Sequence, residues 1–181
     1  MLSHKKMQAG DKAPDFFFQT PWSSRHSFYE TAGNNPAILV FLRYLGCPVC
    51  QMEMARLKRE IGLFTQKETG VFVFLQSAPA TVASAAKEGD WPFFVVCDPQ
   101  GNIFRMYSVE SGGILKYLHP AGLAAAVKSV CQGFRHGKFE GRETQLPAVF
   151  TVSAGKIIMH AHYGRHISDI PSPATMAANM E

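Results

Sequence analysis

Three apolar runs in the first two thirds of the chain predict strands of a buried sheet. The run from Ala37 to Arg43 is continuous and rich in aliphatic residues, which is typical of a strand covered on both faces. A second run extends from Val71 to Gln76, and a shorter one from Phe93 to Cys97. Because helical patterns separate the runs, the sequence predicts an α/β fold with parallel strands at its centre.

The first intervening segment has the apolar spacing of a helix. Pro48 suits a first helical turn, where no backbone N–H is required. Apolar residues then recur three or four positions apart, at Met54, Leu57, Ile61 and Phe64. We therefore predict one helix from Pro48 to about Lys67, ended by Gly70. A second helix is predicted from Pro79 to Glu88.

The later part of the chain contains a predicted insertion and a hairpin. Residues 98–102 have turn chemistry, and a short helix is predicted from Ile103 to Tyr107. Residues 111–144 form an insertion or lid with a helix from about Pro120 to Gln132. A strand from Gln145 to Val152, a turn at 153–155 and a strand from Lys156 to Tyr163 form the hairpin. Ser168 or Asp169 is predicted to cap a final helix.

Composition and charge exclude several classes of protein. The chain has 181 residues, 46% of them hydrophobic, which predicts a single domain over residues 8–181. The formal charge of +4 is spread along the chain, with Lys5 and Lys6 beside His4 as the one local cluster, so no nucleic-acid partner is expected. Without an apolar run of membrane length or a secretory signal before Lys12, we expect no membrane association and a cytoplasmic location.

Two of the four cysteines carry the candidate chemistry. Cys47 and Cys50 lie three positions apart where a buried strand gives way to a helix, while Cys97 and Cys131 are isolated. The free N–H groups and the dipole at a helix start favour a thiolate, which is the nucleophilic form. We therefore expect Cys47 to be the accessible, attacking thiol and Cys50 the more inward, resolving thiol.

Two structural alternatives compete with this redox assignment. The alternatives are half of a zinc site and an inert buried pair, but the chain has no second C-x-x-C motif. His160 and His162 share one face of a predicted strand, where they would bind a metal or simply face solvent. We expect neither a metal nor a cofactor.

The motifs together resemble a known family. The Cys47–Cys50 motif after the first strand and Leu146-Pro147 before the hairpin resemble the thioredoxin fold. The opening Ala9–Phe16 and the segment Asp98–Tyr107 resemble the alkyl hydroperoxide reductase and thiol-specific antioxidant branch, the peroxiredoxin-like proteins. The resemblance covers most of residues 8–165. It implies a central mixed sheet flanked by helices, with an N-terminal extension and the helical insertion before the proline strand. It also implies that Pro147 is cis and faces the cysteines, and that a trans bond would exclude the fold.

The sequence departs from the family where peroxide would bind. Val40 and Tyr44 occupy positions where typical peroxiredoxins have a proline and a threonine, and Cys50 replaces a common acidic residue. We therefore predict a C-x-x-C antioxidant enzyme that favours thiol–disulfide exchange. The alternatives are a hydroperoxide-reducing thiol peroxidase and a non-catalytic redox sensor or interaction module.

Two arginines and the expected partners complete the prediction. Arg43, four residues before Cys47, and Arg142, five before Pro147, are candidates to lower a thiol pKa or hold a peroxide anion. The substrate would be a disulfide or a hydroperoxide, and the reductant a thioredoxin or glutathione system. The sequence leaves the oligomeric state open.

Overall fold

The computed structural model describes residues 5–109, 111–113 and 118–180, so His4 and residues 114–117 of the predicted insertion lie outside the described residues. The strands are β1 (Phe17–Phe18), β2 (His26–Ser27), β3 (Ala37–Phe41), β4 (Gly70–Leu75), β5 (Phe94–Cys97), β6 (Ala148–Val152) and β7 (Ile158–Tyr163). The helices are α1 (Phe28–Ala32), α2 (Pro48–Arg59), α3 (Gly62–Thr65), α4 (Pro79–Ala85), α5 (Asn102–Met106), α6 (Pro120–Cys131) and α7 (Pro173–Ala178).

A five-stranded mixed sheet forms the centre of the molecule. Its strand order is β5-β4-β3-β6-β7. The strands β3, β4 and β5 are parallel, whereas β6 runs antiparallel to both β3 and β7. This arrangement confirms the predicted α/β class and places β3, which leads to the cysteines, in the middle. No helix in the described ranges is long and apolar enough to cross a membrane.

The sheet separates two apolar cores, which explains the continuous apolar run in β3. Ile38 and Val40 belong to the core beneath α2, while Leu39 and Phe41 belong to the opposite core. Successive side chains of a strand point to opposite faces, so a strand covered on both sides needs an apolar residue at every position. The predicted central strand is confirmed.

The helix after β3 is shorter than predicted. The helix α2 ends at Arg59, and α3 begins separately at Gly62. Glu60 leaves helical geometry at φ −103° and ψ 15°, two residues before Gly62, which has low helix propensity. Cys50, Met54 and Leu57 share the buried stripe of α2, so the spacing that predicted the helix also places Cys50 inward.

The N-terminal extension forms elements that the sequence pattern did not predict. The two-residue strands β1 and β2 pair antiparallel, and α1 follows with Ser27 as its N-cap. Burial alternates along the run of three phenylalanines at 16–18: Phe17 is 64% exposed, while its two neighbours are buried. The alternation of a strand accounts for the difference. The final helix likewise begins later than predicted, with Ser172 as its cap.

The prediction of a cis proline is wrong. The Leu146–Pro147 bond is trans, and no described bond is cis. The Pro147 carbonyl accepts a hydrogen bond from the Gly164 N–H at 2.8 Å, which extends the β6–β7 pairing by one residue with a trans backbone. Most X–Pro bonds are trans, and the strand order and register hold with this isomer. The expectation that a trans bond would exclude the fold is therefore wrong as well.

Candidate active site

Cys47 lies at the N-cap of α2, six residues after the central strand ends at Phe41. Its backbone is extended, at φ −80° and ψ 119°, and Pro48 begins the helix. The Cys47 Sγ accepts a hydrogen bond from the Cys50 backbone N–H at 3.3 Å. The sulfur therefore satisfies one of the free N–H groups of the first helical turn, which is the role of a capping side chain.

Arg43 connects both cysteines to a distant part of the chain. Its Nη2 donates to the Cys47 Sγ at 2.8 Å, and its backbone N–H donates to the Cys50 Sγ at 3.4 Å. Its Nη1 donates to the Glu143 carbonyl at 2.7 Å and lies 3.6 Å from the Glu143 Oε2. Arg43 thus joins the thiol pair to Glu143, one hundred residues away in sequence, with its guanidinium on Cys47 and its backbone N–H on Cys50.

The two thiols differ strongly in acidity. The hydrogen bond from the Cys50 thiol, followed by the Arg43 charge and the helical N–H, outweighs burial and lowers the pKa of Cys47 to about 6. Burial, together with the hydrogen bond to Cys47 and the charge on that sulfur, raises the pKa of Cys50 well above that of an ordinary thiol. Burial opposes the charge of Arg43, but the two sulfurs raise its pKa above the usual value. The site therefore holds one thiolate, one thiol and one cation.

Cys47 is not accessible in this conformation, contrary to our expectation. Its exposed fraction is 0%, and that of Cys50 is 3%. The sequence argument placed Cys47 at a helix start facing outward, but it did not include the chain that returns to this point. That chain is the cover segment, residues 134–143, an irregular stretch between α6 and β6.

The cover segment is fixed to the residues on both sides of Cys47. The Gly137 N–H donates to the Gly46 carbonyl at 2.9 Å, and the Gln51 Nε2 donates to the Arg135 carbonyl at 3.1 Å. A Cβ atom on Gly46 would lie 2.2 Å from the Lys138 carbonyl oxygen. The backbone of the cover segment therefore passes close above the residue before Cys47.

Tyr44 contacts the cover segment through its side chain, while its carbonyl accepts a hydrogen bond from the Cys47 backbone N–H at 3.2 Å. Its ring is fully buried, and its hydroxyl lies 3.1 Å from the His136 Nε2. Burial and the nearby Glu143 raise the pKa of Tyr44 above its usual value. Tyr44 therefore packs in the interior, and its hydroxyl has a partner in the cover segment.

The structure brings three of the five predicted site residues into direct contact. Cys47, Cys50 and Arg43 are in direct contact. Arg142 is exposed and contributes its backbone N–H, which donates to the Gln76 Oε1 at 2.8 Å. Pro147 lines a small cavity together with Lys6, Val109, Ser111, Leu146, Tyr163 and Gly164.

Sequence reasoning missed Glu143 and His136 as parts of the site. Both lie in an irregular segment without hydrophobic periodicity. Glu143 is adjacent to Arg142, which was chosen because of its charge, and no sequence signal distinguishes which of the two neighbours faces the thiols.

The remaining cysteines and histidines lie outside this cluster. Cys97 is buried at the end of β5, where burial and the Glu140 charge raise its pKa to about 12, while Cys131 is exposed on α6. The His162 Nε2 lies 3.0 Å from the Asp169 carbonyl oxygen. Within residues 5–109, 111–113 and 118–180, no three potential metal ligands gather at one point.

A buried dithiol at the junction between a central strand and a helix of this sheet defines a thioredoxin-fold thiol protein. The AhpC/TSA family model matches residues 9–161, and the chain therefore belongs to the AhpC/TSA family. A search of curated protein sequences finds no significant match.

Solved structures of low sequence identity share the fold. Peroxidoxin BcpB from Mycobacterium tuberculosis superposes with a TM-score of 0.70 at 13% identity, with 96% of each chain covered. A peroxiredoxin-like protein from Aquifex aeolicus gives 0.68 at 15% identity, with 97% of this chain and 87% of that chain covered. A putative thiol:disulfide interchange protein DsbE from Chlorobium tepidum gives 0.60 at 16% identity, with 96% and 93% covered.

Proposed function

We propose that the protein is a thiol–disulfide oxidoreductase in which Cys47 attacks and Cys50 resolves. The observation that carries the proposal is the unequal acidity of two thiols in direct contact. At neutral pH Cys47 is a thiolate held by Arg43, whereas Cys50 remains protonated. A thiolate is the species that attacks disulfides, and a protonated neighbour does not compete with it.

The proposed cycle transfers two electrons in two steps. The Cys47 thiolate attacks one sulfur of a substrate disulfide, which forms a mixed disulfide and releases the other sulfur as a thiolate. Cys50 then loses its proton to that thiolate or to solvent and attacks the Cys47 sulfur. The Cys47–Cys50 disulfide forms, and the second substrate thiolate leaves. The substrate is reduced to two thiols, and the protein dithiol is oxidised.

The same proposal includes the cellular compartment and the reductant of this cycle. We assign the protein to the reducing cytoplasm, where a thioredoxin or glutathione system would return the disulfide to the dithiol. Among the structural neighbours, a yeast mitochondrial 1-Cys peroxiredoxin is resolved via glutathione and thioredoxin systems, which supports a reductant of this class. The reduction potential of the cysteine pair in a non-catalytic module would not need to lie near that of the cytosolic thiol pool, at roughly −200 to −300 mV.

Trapping experiments test the assignment of roles. Reduced protein is treated with one equivalent of a small disulfide and analysed by intact mass after alkylation. Wild type should gain an internal disulfide, whereas Cys50→Ser should accumulate a mixed disulfide on Cys47. Cys47→Ser should not react at the site. Cys131→Ser is the control, since that exposed thiol lies on α6 away from the pair. A mixed disulfide that accumulates in Cys47→Ser would reverse the assignment.

Peroxide reduction is the second candidate activity, and the contact of Arg43 with the Cys47 sulfur favours it. A guanidinium beside the thiolate can stabilise the charge that moves onto the leaving oxygen of a hydroperoxide. We expect disulfide exchange to be faster, because Val40 and Tyr44 do not supply the peroxide pocket of typical peroxiredoxins. The second-order rate constants for hydrogen peroxide and for a disulfide should be compared in wild type, in Arg43→Gln and in Arg142→Ala. A fast peroxide reaction that is lost in Arg43→Gln would establish the peroxidase, and a loss in Arg142→Ala as well would assign a role to Arg142.

A further inference from the structure

Three consecutive residues of the cover segment are bound through their main chain to the rim of the cysteine site. The Arg135 carbonyl accepts a hydrogen bond from the Gln51 Nε2 at 3.1 Å, and the Gly137 N–H donates to the Gly46 carbonyl at 2.9 Å. Both contacts come from a main-chain carbonyl and from the main-chain N–H two residues later. Because neither contact uses a side chain of the cover segment, any peptide backbone offers the same pair of groups.

The receiving groups are held by the chain around the cysteine rather than by the cover segment. The Gln51 Nε2 also donates to the Leu45 carbonyl at 2.9 Å, which orients its amide. Gly46 lies directly before Cys47, whose backbone N–H donates to the Tyr44 carbonyl at 3.2 Å. A site from which the cover segment has moved therefore presents one oriented donor and one oriented acceptor beside the nucleophile, and both need hydrogen-bond partners.

The bound tripeptide is shaped by a glycine and by one inward side chain. A Cβ atom on Gly137 would lie 3.2 Å from the Gly46 Cα, closer than most real contacts of a Cβ atom, and the neighbour is rigid backbone. This position therefore favours glycine. The side chain of the middle residue, His136, turns inward, where its Nε2 lies 3.1 Å from the hydroxyl of the buried Tyr44.

We propose that residues 135–137 hold the place of a substrate, and that this substrate is a disulfide whose cysteine has an acylated nitrogen and is followed by glycine. The inference rests on the proposed function and adds the substrate class. The carbonyl before the substrate cysteine binds the Gln51 amide, and the N–H after it binds the Gly46 carbonyl, as main-chain groups do in peptide recognition. The substrate cysteine takes the inward direction of His136. The Cys47 thiolate then attacks its sulfur, which forms a mixed disulfide and releases the other half as a thiolate.

Trapping of mixed disulfides with matched peptides tests the substrate class. The protein is Cys50→Ser in a Cys131→Ser background, and the probe is the disulfide of acetyl-Ala-Cys-Gly-methylamide. Three disulfides compete with it in equal amounts: the peptide with alanine in place of glycine, the peptide with N-methylglycine there, and hydroxyethyl disulfide. Each yield on Cys47, measured by intact mass, is divided by the yield on a small free thiol. Since all the probes need the cover segment to move, the ratios report the contacts alone.

The glycine peptide should exceed the alanine and N-methylglycine peptides by about fivefold each, the usual effect of one crowded methyl group or one lost hydrogen bond. Gln51→Met removes the donor for the carbonyl before the cysteine, and it should reduce the advantage of the glycine peptide over hydroxyethyl disulfide by a similar factor. Gln132→Met is the matched control, because that glutamine is exposed at the end of α6. Equal yields of the three peptides, or equal effects of the two glutamine substitutions, would overturn the proposal.

The tripeptide glutathione and a segment of a polypeptide both contain this cysteinyl-glycine unit. Glutathione disulfide is therefore compared with the glycine peptide in the same assay. Both should exceed hydroxyethyl disulfide. A higher yield with glutathione supports a substrate of low molecular weight, and a higher yield with the peptide supports a polypeptide. If neither exceeds hydroxyethyl disulfide, the proposal is wrong.

Alkylation of Cys47 tests the glycine position without any disulfide. The φ of Gly137 lies outside the left-handed region, so Gly137→Ala adds only the crowded methyl group. Alkylation by iodoacetamide should become about fivefold faster as the cover segment loosens. Gly113→Ala is the control, since its methyl group would meet no atom within 4 Å. If no probe forms a mixed disulfide on Cys47, the proposed function fails, whereas an unchanged alkylation rate in Gly137→Ala would refute the selection of glycine by itself.

Discussion

Cys50 acts on Cys47 before any substrate is present. Its thiol is the largest single cause of the low pKa of Cys47, ahead of the Arg43 charge. The same contact, with burial, keeps the Cys50 proton in place. In the proposed cycle Cys50 therefore both prepares the nucleophile and resolves the mixed disulfide, and these two functions can be separated by substitution.

Cys50→Ala should raise the pKa of Cys47 from about 6 toward the free-thiol value of about 8.5, because the donated hydrogen bond is lost. Cys50→Ser, which retains a hydroxyl donor, should raise it less. The measurement is the ultraviolet absorbance of the thiolate against pH in a Cys131→Ser background. A midpoint that stays near 6 in Cys50→Ala would assign the effect to Arg43 instead.

At the scale of elements, a single glycine sets how closely the cover segment approaches the start of α2. Gly46→Ala places a Cβ 2.2 Å from the Lys138 carbonyl oxygen, a distance that real contacts do not show. The Cβ is fixed rigidly to the Gly46 backbone and the oxygen belongs to the Lys138 backbone, so the cover segment must shift. We expect Gly46→Ala to increase the alkylation rate of Cys47 by about tenfold, if roughly 1.4 kcal/mol of the closed state is lost.

Gly62→Ala is the matched control for this prediction. Gly62 lies at the start of α3 in open space, where an added methyl group meets no atom within 4 Å. The alkylation rate of Cys47 in Gly62→Ala should equal that in wild type. Equal rates for Gly46→Ala and wild type would mean that the cover segment does not limit access to Cys47.

The elements also show how far the sequence determines the prediction. The strand β3 and the helix α2 were predicted because burial on one or both faces imposes a regular apolar spacing. The same spacing placed the cysteines at the predicted junction between strand and helix, and Arg43 at the end of the predicted strand. Glu143 was missed because its contact with Arg43 spans one hundred residues and arises from an irregular segment, which leaves no periodic signal. The burial of Cys47 was missed for the same reason.

At the scale of the whole molecule, the ionised cysteine couples stability to pH. The pKa of Cys47 is about 6 in the folded chain and about 8.5 when unfolded. A group whose pKa is lower in the folded state stabilises the protein fully at pH values above its pKa in the unfolded state. This stabilisation is lost as the pH falls through its pKa in the folded state. The contribution of Cys47 should therefore be about 1 kcal/mol at pH 7 and close to zero at pH 5.

Chemical denaturation of the reduced protein at these two pH values measures this contribution. The difference in unfolding free energy between wild type and Cys47→Ser should shrink by about 1 kcal/mol from pH 7 to pH 5, since other acids titrate alike in both. Parallel pH dependences would show that Cys47 is protonated in the folded protein at pH 7.

The hydrogen bond between Gly137 and Gly46 allows the opening rate of the cover segment to be measured without any reaction of the thiols. A reagent attacks a covered sulfur only in the open conformation, so the observed rate of modification should rise with reagent concentration and then reach a plateau. The height of that plateau is the frequency of opening. The Gly137 amide is freed in the same event, and under conditions of fast intrinsic exchange its hydrogen is replaced at that frequency. A covered nucleophile thus sets a maximum speed that no increase in substrate reactivity can exceed.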